Sequence, residues 1–152
     1  MPEKATVERA REAKRRGKSA SSQAGEFVRE EIHHVREGKH GARSAKQAIA
    51  IGLSKARRAG VPLKPPEEGK TSERTRKQAQ RDSARGRAGK GKSTSKRRSR
   101  ATSRALDHEG KSAASHTALS RQARGAAKRR TRAERSAAAK KAARTRKEEH
   151  ER

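Results

Sequence analysis

Ser44 to Val61, S-A-K-Q-A-I-A-I-G-L-S-K-A-R-R-A-G-V, is the stretch on which the fold turns. Ser44 has N-cap chemistry, since its hydroxyl accepts a backbone N–H of the first turn. Gln47, three residues on, is placed to return to the Ser44 N–H and complete a capping box. Gly60 supplies the left-handed conformation that stops a helix, and Pro62 forbids its continuation. Lys55, Arg57 and Arg58 bring cations to the negative end of the dipole. Ala45, Ala48, Ile49, Gly52, Leu53 and Ala56 follow i, i+3, i+4, i+7 spacing, which predicts one apolar face; Ile51 widens the stripe. Gly52 costs about 1 kcal/mol against Ala in a helix interior, so its presence predicts a close approach by another helix.

Just upstream, E-F-V-R-E-E-I-H-H-V-R-E (Glu26–Glu37) reads as a second helix. Val28, Ile32 and Val35 share one face with Phe27 beside it, and Gly38 ends it. The connector G-K-H-G-A-R is short, so the two helices read as an αα-hairpin, with Phe27, Val28, Ile32 and Val35 facing Ile49, Leu53, Ala56 and Val61. Downstream, V-P-L-K-P-P-E-E-G (Val61–Gly69) is a proline-rich exit that excludes helix and sets the expected domain limit.

Further out the apolar signal fades. Pro2 to Lys18 predicts a short charged helix with only Val7 to anchor it, hence frayed, and Gly17 to Gly25 reads as a linker. Beyond Leu63 the only large aliphatic residues are Leu106 and Leu119. Thr71 to Arg85 predicts transient helix, and A-R-G-R-A-G-K-G-K-S-T-S-K-R-R-S-R (84–100) is low-complexity. Ser115 to Arg152 is Ala-rich and predicts a long helix without an apolar stripe. Of the 152 residues, 40% are charged, 27% hydrophobic and 1% aromatic, so little apolar surface is on hand to offset the roughly 1–2 kcal/mol of backbone entropy per ordered residue. The expected fold class is therefore mostly α with extensive disorder, a small helical hairpin flanked by flexible basic arms. Residues 1–24 form a basic arm with a frayed helix, 25–63 the hairpin, 64–69 a proline-rich linker and 70–152 a basic, partly helical tail. A core that small is marginal alone, and a homodimer through the hairpin is one way to complete it.

The net charge of +27 is the strongest functional signal. A polycation of this size seeks polyanions, nucleic acid first and acidic membrane surface second. From Lys64 onward the chain carries 29 basic and 10 acidic residues. There is no cysteine, which excludes disulfides and thiolate chemistry. No apolar run reaches signal-peptide or membrane-span length, so the chain is expected to stay in the compartment where it is made.

Phosphate contact needs a high density of long cations and no particular spacing. The nucleic-acid-binding candidates fall in two sets. Around the hairpin they are Lys39, His40, Arg43 and Lys46, beside the free amides at the start of the Ser44 helix, and Lys55, Arg57 and Arg58 near its end. In the tail they are Lys96, Arg97, Arg98 and Arg100; Lys128, Arg129, Arg130 and Arg132; and Lys140, Lys141 and Arg144. The connector is not a Walker loop, because GxxxxGK[ST] is absent. Read as a helix-turn-helix, the hairpin offers only Lys46 and Gln47 to base edges. Phe27 is the only Phe, Tyr or Trp and is expected in the core, which favours duplex phosphates over a single-strand reader.

His33, His34 and His40 invite a metal reading. With no cysteine, and with adjacent helical residues about 100° apart, they read instead as polar helix positions, so no metal or cofactor is expected. There is no nucleophile elbow, no HExxH and no paired catalytic carboxylates, so an enzyme is not expected.

The segment Glu30–Val61, with H-x-V-R-E-G-K-H-G and K-Q-A-I-A-I-G-L-S-K-A as its specific parts, resembles small basic bacterial proteins of unassigned function that are often labelled DNA-binding or plasmid-stabilisation proteins. The resemblance implies a bacterial cytoplasmic origin and supports DNA as partner. The A-A-A-K-K-A-A-R tail is similar in composition to linker-histone and bacterial histone-like tails. Together these readings give a non-enzymatic, largely sequence-neutral DNA-binding protein of the nucleoid or a plasmid. The alternatives are an RNA- or ribosome-associated protein, or a protein-interaction hairpin with a localising tail.

Overall fold

Four hydroxyl side chains start helices. Ser19, Ser44, Ser72 and Thr131 each accept the backbone N–H three residues on, which satisfies an amide that would otherwise lack a partner. The computed structural model describes residues 2–89 and 95–151, and among these it is all-helical. Seven α-helices follow in order: α1 (Lys4–Arg15), α2 (Ala20–Glu37), α3 (Ala45–Arg58), α4 (Glu73–Arg87), α5 (Lys96–Asp107), α6 (His116–Lys128) and α7 (Arg132–His150). A 3-10 turn, Ser112–Ala114, precedes α6.

The chain divides into two units, Met1–Ser115 and His116–Arg152. In the first, α1 packs on α2, α2 on α3 and α3 on α4, and the 3-10 turn touches both α2 and α3. Ala10, Ala24, Phe27, Ala56 and Val61 form a buried cluster, with Val7, Ala20, Leu53 and Leu63 packed against it. The close approach expected at Gly52 is present: a Cβ there would lie 2.7 Å from the Val28 Cα, so only glycine fits the crossing of α2 and α3. Gly38 has φ of +78° and Gly60 of +89°, the left-handed stops expected after α2 and α3.

The expectation of extensive disorder around a small hairpin is overturned. Residues 4–15 are a helix docked through Thr6 and Ala10, both buried, rather than a frayed arm. The segment that reads as a linker contains the Ser19 cap and the first turns of α2. Helix α4 buries Ala79, Asp82 and Ser83, and a Cβ at Gly86 would lie 2.0 Å from the Arg57 carbonyl oxygen. The proline-rich segment has no helix, yet Leu63 within it packs on the core. The physical reason is side-chain size. Ala, Gly, Ser and Thr let backbones approach closely, and a count of large aliphatic residues misses surface buried in that way. Residues 90–94 of the low-complexity run lie outside the described residues.

In the second unit the single long helix expected over 115–152 is two, α6 and α7, separated at Arg129–Thr131. Helix α6 has no buried residue, and the described side chains of α7 are all exposed. Among the described residues no helix is long and apolar enough to cross a membrane.

Candidate functional site

Two features carry chemistry: a buried ion cluster between α2 and α3, and the outward cations. The cluster begins with Glu30 and Glu31, consecutive residues on α2 that are 4% and 1% exposed. Lys55 reaches across from α3, its Nζ 3.2 Å from Glu30 Oε1 and 2.6 Å from Glu31 Oε2. The α1 side closes it, where the Glu3 backbone N–H donates to Glu30 Oε2 at 3.1 Å. Burial opposes ionisation of Glu30, but hydrogen bonds from the Thr6 side chain and the Glu3 amide, with Lys55, outweigh it and hold its carboxyl below the usual range.

Gly38 reverses the chain and carries His40 back over α2. His40 Nε2 lies 3.2 Å from Glu31 Oε1, while its Nδ1 faces the Gly41 carbonyl at 3.0 Å. His34, one turn along α2 from Glu31, holds Nε2 2.9 Å from Glu3 Oε1. The two imidazoles meet edge to face with centroids 6.0 Å apart. The loop is clamped from a third side: Gly41 N–H donates to Leu106 O at 2.9 Å and Ala42 N–H to Gly110 O at 3.1 Å. Arg36 Nε donates to Ala114 O at 2.8 Å.

These contacts settle where the hairpin candidates sit. Lys55 is turned inward and His40 is largely covered. Lys39 is exposed but paired with Glu37 at 3.1 Å and Glu3 at 3.4 Å. The hydrogen bond to Glu37 leads in raising its pKa, and the hydrogen bond from His34 leads in lowering that of Glu3. Arg43 and Lys46 are exposed. The capping box expected at Ser44 forms by halves: Ser44 Oγ accepts from Gln47 N at 3.2 Å. The Gln47 side chain passes Ser44 and accepts from Arg43 N at 2.7 Å. Arg57 is half-buried, its pKa lowered by desolvation that the charge of Asp82 partly offsets. Arg58 is exposed with Nε 3.8 Å from Asp82. Asp82 is itself buried and bonded to Ser54 and Gln78.

Residues 11–68 match the model of a family of unknown function, DUF6496. The matched segment includes α2, α3, their loop and the Glu30, Glu31, His34, His40 and Lys55 cluster. It excludes Glu3 and α4 to α7. No curated protein and no solved structure matches the chain.

Outside the matched segment most of the described cations are exposed. On α4, Arg74, Lys77, Arg81 and Arg85 are all exposed and share one face, a row roughly 16 Å long at 1.5 Å per residue. On α5, Lys96, Arg97, Arg100 and Arg104 are exposed, while the Arg98 side chain lies outside the described residues. In the second unit Lys128, Arg129, Arg130, Arg132, Lys140, Lys141 and Arg144 are exposed, with Arg144 3.8 Å from Glu148. The α4 row and Arg104 escape a reading by contiguous basic runs. Helical periodicity applied to charge instead of hydropathy finds them.

Proposed function

We propose that the protein is a non-enzymatic DNA-binding protein that neutralises duplex phosphates with little regard to sequence, in the setting of a bacterial nucleoid or plasmid. The observation that carries this reading is the placement of charge. Within the matched segment Lys55 and Arg57 turn inward and Lys39 is paired with Glu37 and Glu3, while Arg43, Lys46 and Arg58 are exposed; beyond it most of the described cations of α4, α5, α6 and α7 are exposed as well. Surface cations in excess over acids release condensed counterions from a duplex, which is the main source of sequence-neutral affinity. Two further features favour phosphates over bases. Phe27, the single Phe, Tyr or Trp of the chain, is fully buried, so none of these rings is exposed as a base-stacking platform. Helix α3 lies between α2 and α4, which leaves its exposed residues for backbone contacts rather than for entry into a groove.

The test is a titration of labelled duplex DNA followed by anisotropy. If 6–10 phosphates are neutralised, affinity falls about 10³–10⁵-fold between 50 and 200 mM salt, with little difference between unrelated sequences. A flat salt response rejects the reading. Structured RNA that outcompetes duplex at equal salt transfers it to RNA.

A further inference from the structure

We propose that Glu31, His34 and His40 form a binding site for one divalent transition-metal ion of the zinc type. Each residue offers one ligand atom, and the three atoms lie within 4.8 Å of one another. His33 is exposed and is not one of the three converging residues. The convergence comes from His34 and His40, which the Gly38 turn brings together, with Glu31 one turn before His34.

Hydrogen bonding to the far side of each ring orients both histidines. A carbonyl oxygen only accepts, so His40 carries its hydrogen on Nδ1, toward Gly41 O at 3.0 Å. Its Nε2 then faces Glu31 Oε1 at 3.2 Å. Likewise the Glu3 carboxylate takes the Nε2 hydrogen of His34 at 2.9 Å and leaves Nδ1 as the lone pair. Metal-bound histidines are held in this way, with the remote N–H on a carboxylate or carbonyl.

Glu31 supplies the second, independent observation. It is 1% exposed, and neither carboxylate oxygen makes a directed hydrogen bond. A buried carboxylate in that condition is costly unless a cation completes its surroundings. Lys55 lies against Oε2 but is shared with Glu30, so two buried negative charges face one ammonium. Oε1 faces His40 Nε2, the ring nitrogen that the Nδ1–H bond to Gly41 leaves available as a ligand atom. Their 3.2 Å separation is about that of two ligand atoms on a tetrahedral ion with bonds of about 2.0–2.2 Å. Two imidazoles and one carboxylate suit zinc and its neighbours, and leave a fourth position for water. A groove of about 390 Å³, lined in part by Glu3, Glu30, His33, His34 and Lys39, runs along the His34 side of the site.

The experiment uses untagged full-length protein stripped with chelator. Zinc alone, titrated by calorimetry, is expected to bind at one equivalent, and cobalt in its place to give the visible absorption of a low-symmetry nitrogen–oxygen site. His34→Gln and His40→Gln each weaken binding by about 100-fold or more, since loss of a supporting hydrogen bond alone costs ~10–100-fold. His33→Gln leaves it unchanged, and circular dichroism checks that each variant keeps its helices. A wild-type measurement stands if the variants fail to fold: zinc protects His34 and His40 from diethylpyrocarbonate and leaves His33 reactive. The proposal is overturned by the absence of saturable binding, by binding that survives both His34→Gln and His40→Gln, or by equal protection of all three histidines.

Discussion

Helices α3 and α7 begin alike and end up differently. Each opens on a hydroxyl N-cap, each is Ala-rich, and each carries basic residues in its last turns. By local chemistry α7 is the better start, because Thr131 and Glu134 complete a reciprocal capping box that α3 lacks. Yet α3 buries Ala45, Ala48, Gly52 and Ala56, while every described side chain of α7 is exposed. The difference lies in what stands beside the alanines. In α3 they are flanked by Ile49 and Leu53 and open onto Gly52, so a neighbouring backbone can approach. In α7 they alternate with Lys140, Lys141 and Arg144. Caps decide where a helix starts, and the residues between decide whether it packs and whether its cations are used inside or outside.

The sharpest way to break this comparison is to remove a large core side chain. Phe27→Ala should cost about 3–5 kcal/mol of unfolding free energy in a denaturant melt. Arg144→Ala on α7 should change it by no more than about 0.5 kcal/mol. Phe27 stands on α2, in the core that α3 packs against, so equal effects would mean that the α2–α3 pair and α7 are held by the same kind of contact. A second test exchanges one lysine for the same residue in both settings. Lys55 has only 15% of its side chain exposed and stands between two buried carboxylates, so Lys55→Met strands them and should cost about 3–5 kcal/mol. Lys141→Met should leave the melt unmoved and lower the salt dependence of DNA binding by about 0.9 in log–log slope if it contacts one phosphate. A change in DNA binding without loss of stability at Lys55 would reverse the assignment.

Much of the pairing of α2 with α3 was legible in the chain. The stops at Gly38 and Gly60, the cap at Ser44 and the crossing at Gly52 all follow from residues with one strong conformational preference. The docking of α1 and α4 was not, because Thr6, Ala10, Ala79 and Ser83 carry little hydropathy signal and become buried only when a partner is already in place. For the site, position along the chain misleads. Lys55 looks like one of three cations near a helix end, and only the register of α3 against α2 shows that it points at Glu30 and Glu31 while Arg58 points out. His34 beside His33 suggests divergence, and only the turn at Gly38 brings His40 round to meet it. Charge along α4 was readable by periodicity, since Arg74, Lys77, Arg81 and Arg85 recur at helical spacing.

Glycine gives a smaller contrast of the same kind. Gly52→Ala improves helix propensity by up to about 1 kcal/mol but drives a methyl to within 2.7 Å of the Val28 Cα, so α2 and α3 must part. The expected net result is a loss of about 1–3 kcal/mol in the melt. Gly125→Ala in α6 meets only the end of the flexible Arg129 side chain at 3.8 Å. Helical signal should therefore rise there, with a gain of up to about 1 kcal/mol. A stabilising Gly52→Ala would show that the crossing has room to relax.

The smallest effects come from the caps, where the two helices differ in the kind of measurement that responds. Ser44→Ala and Thr131→Ala remove the same bond, a hydroxyl accepting a first-turn amide at 3.2 Å, worth about 1 kcal/mol. In α3 that amide opens only when the helix leaves its packing, so the loss should appear in full in the denaturant midpoint. In α7 nothing packed depends on the first turn, and the loss should appear as fraying. Hydrogen exchange at the Glu134 amide should quicken about 5-fold, the equivalent of ~1 kcal/mol, while the midpoint stays put. Thr131→Ala leaves the other half of the box in place, the residue-131 backbone N–H donating to the Glu134 carboxylate at 2.7 Å, and Glu134→Gln, which weakens that half alone, should give a milder version of the same fraying. If Thr131→Ala instead shifts the midpoint as far as Ser44→Ala does, α7 is bound into a cooperative structure and its cations are not simply an outward coat for DNA.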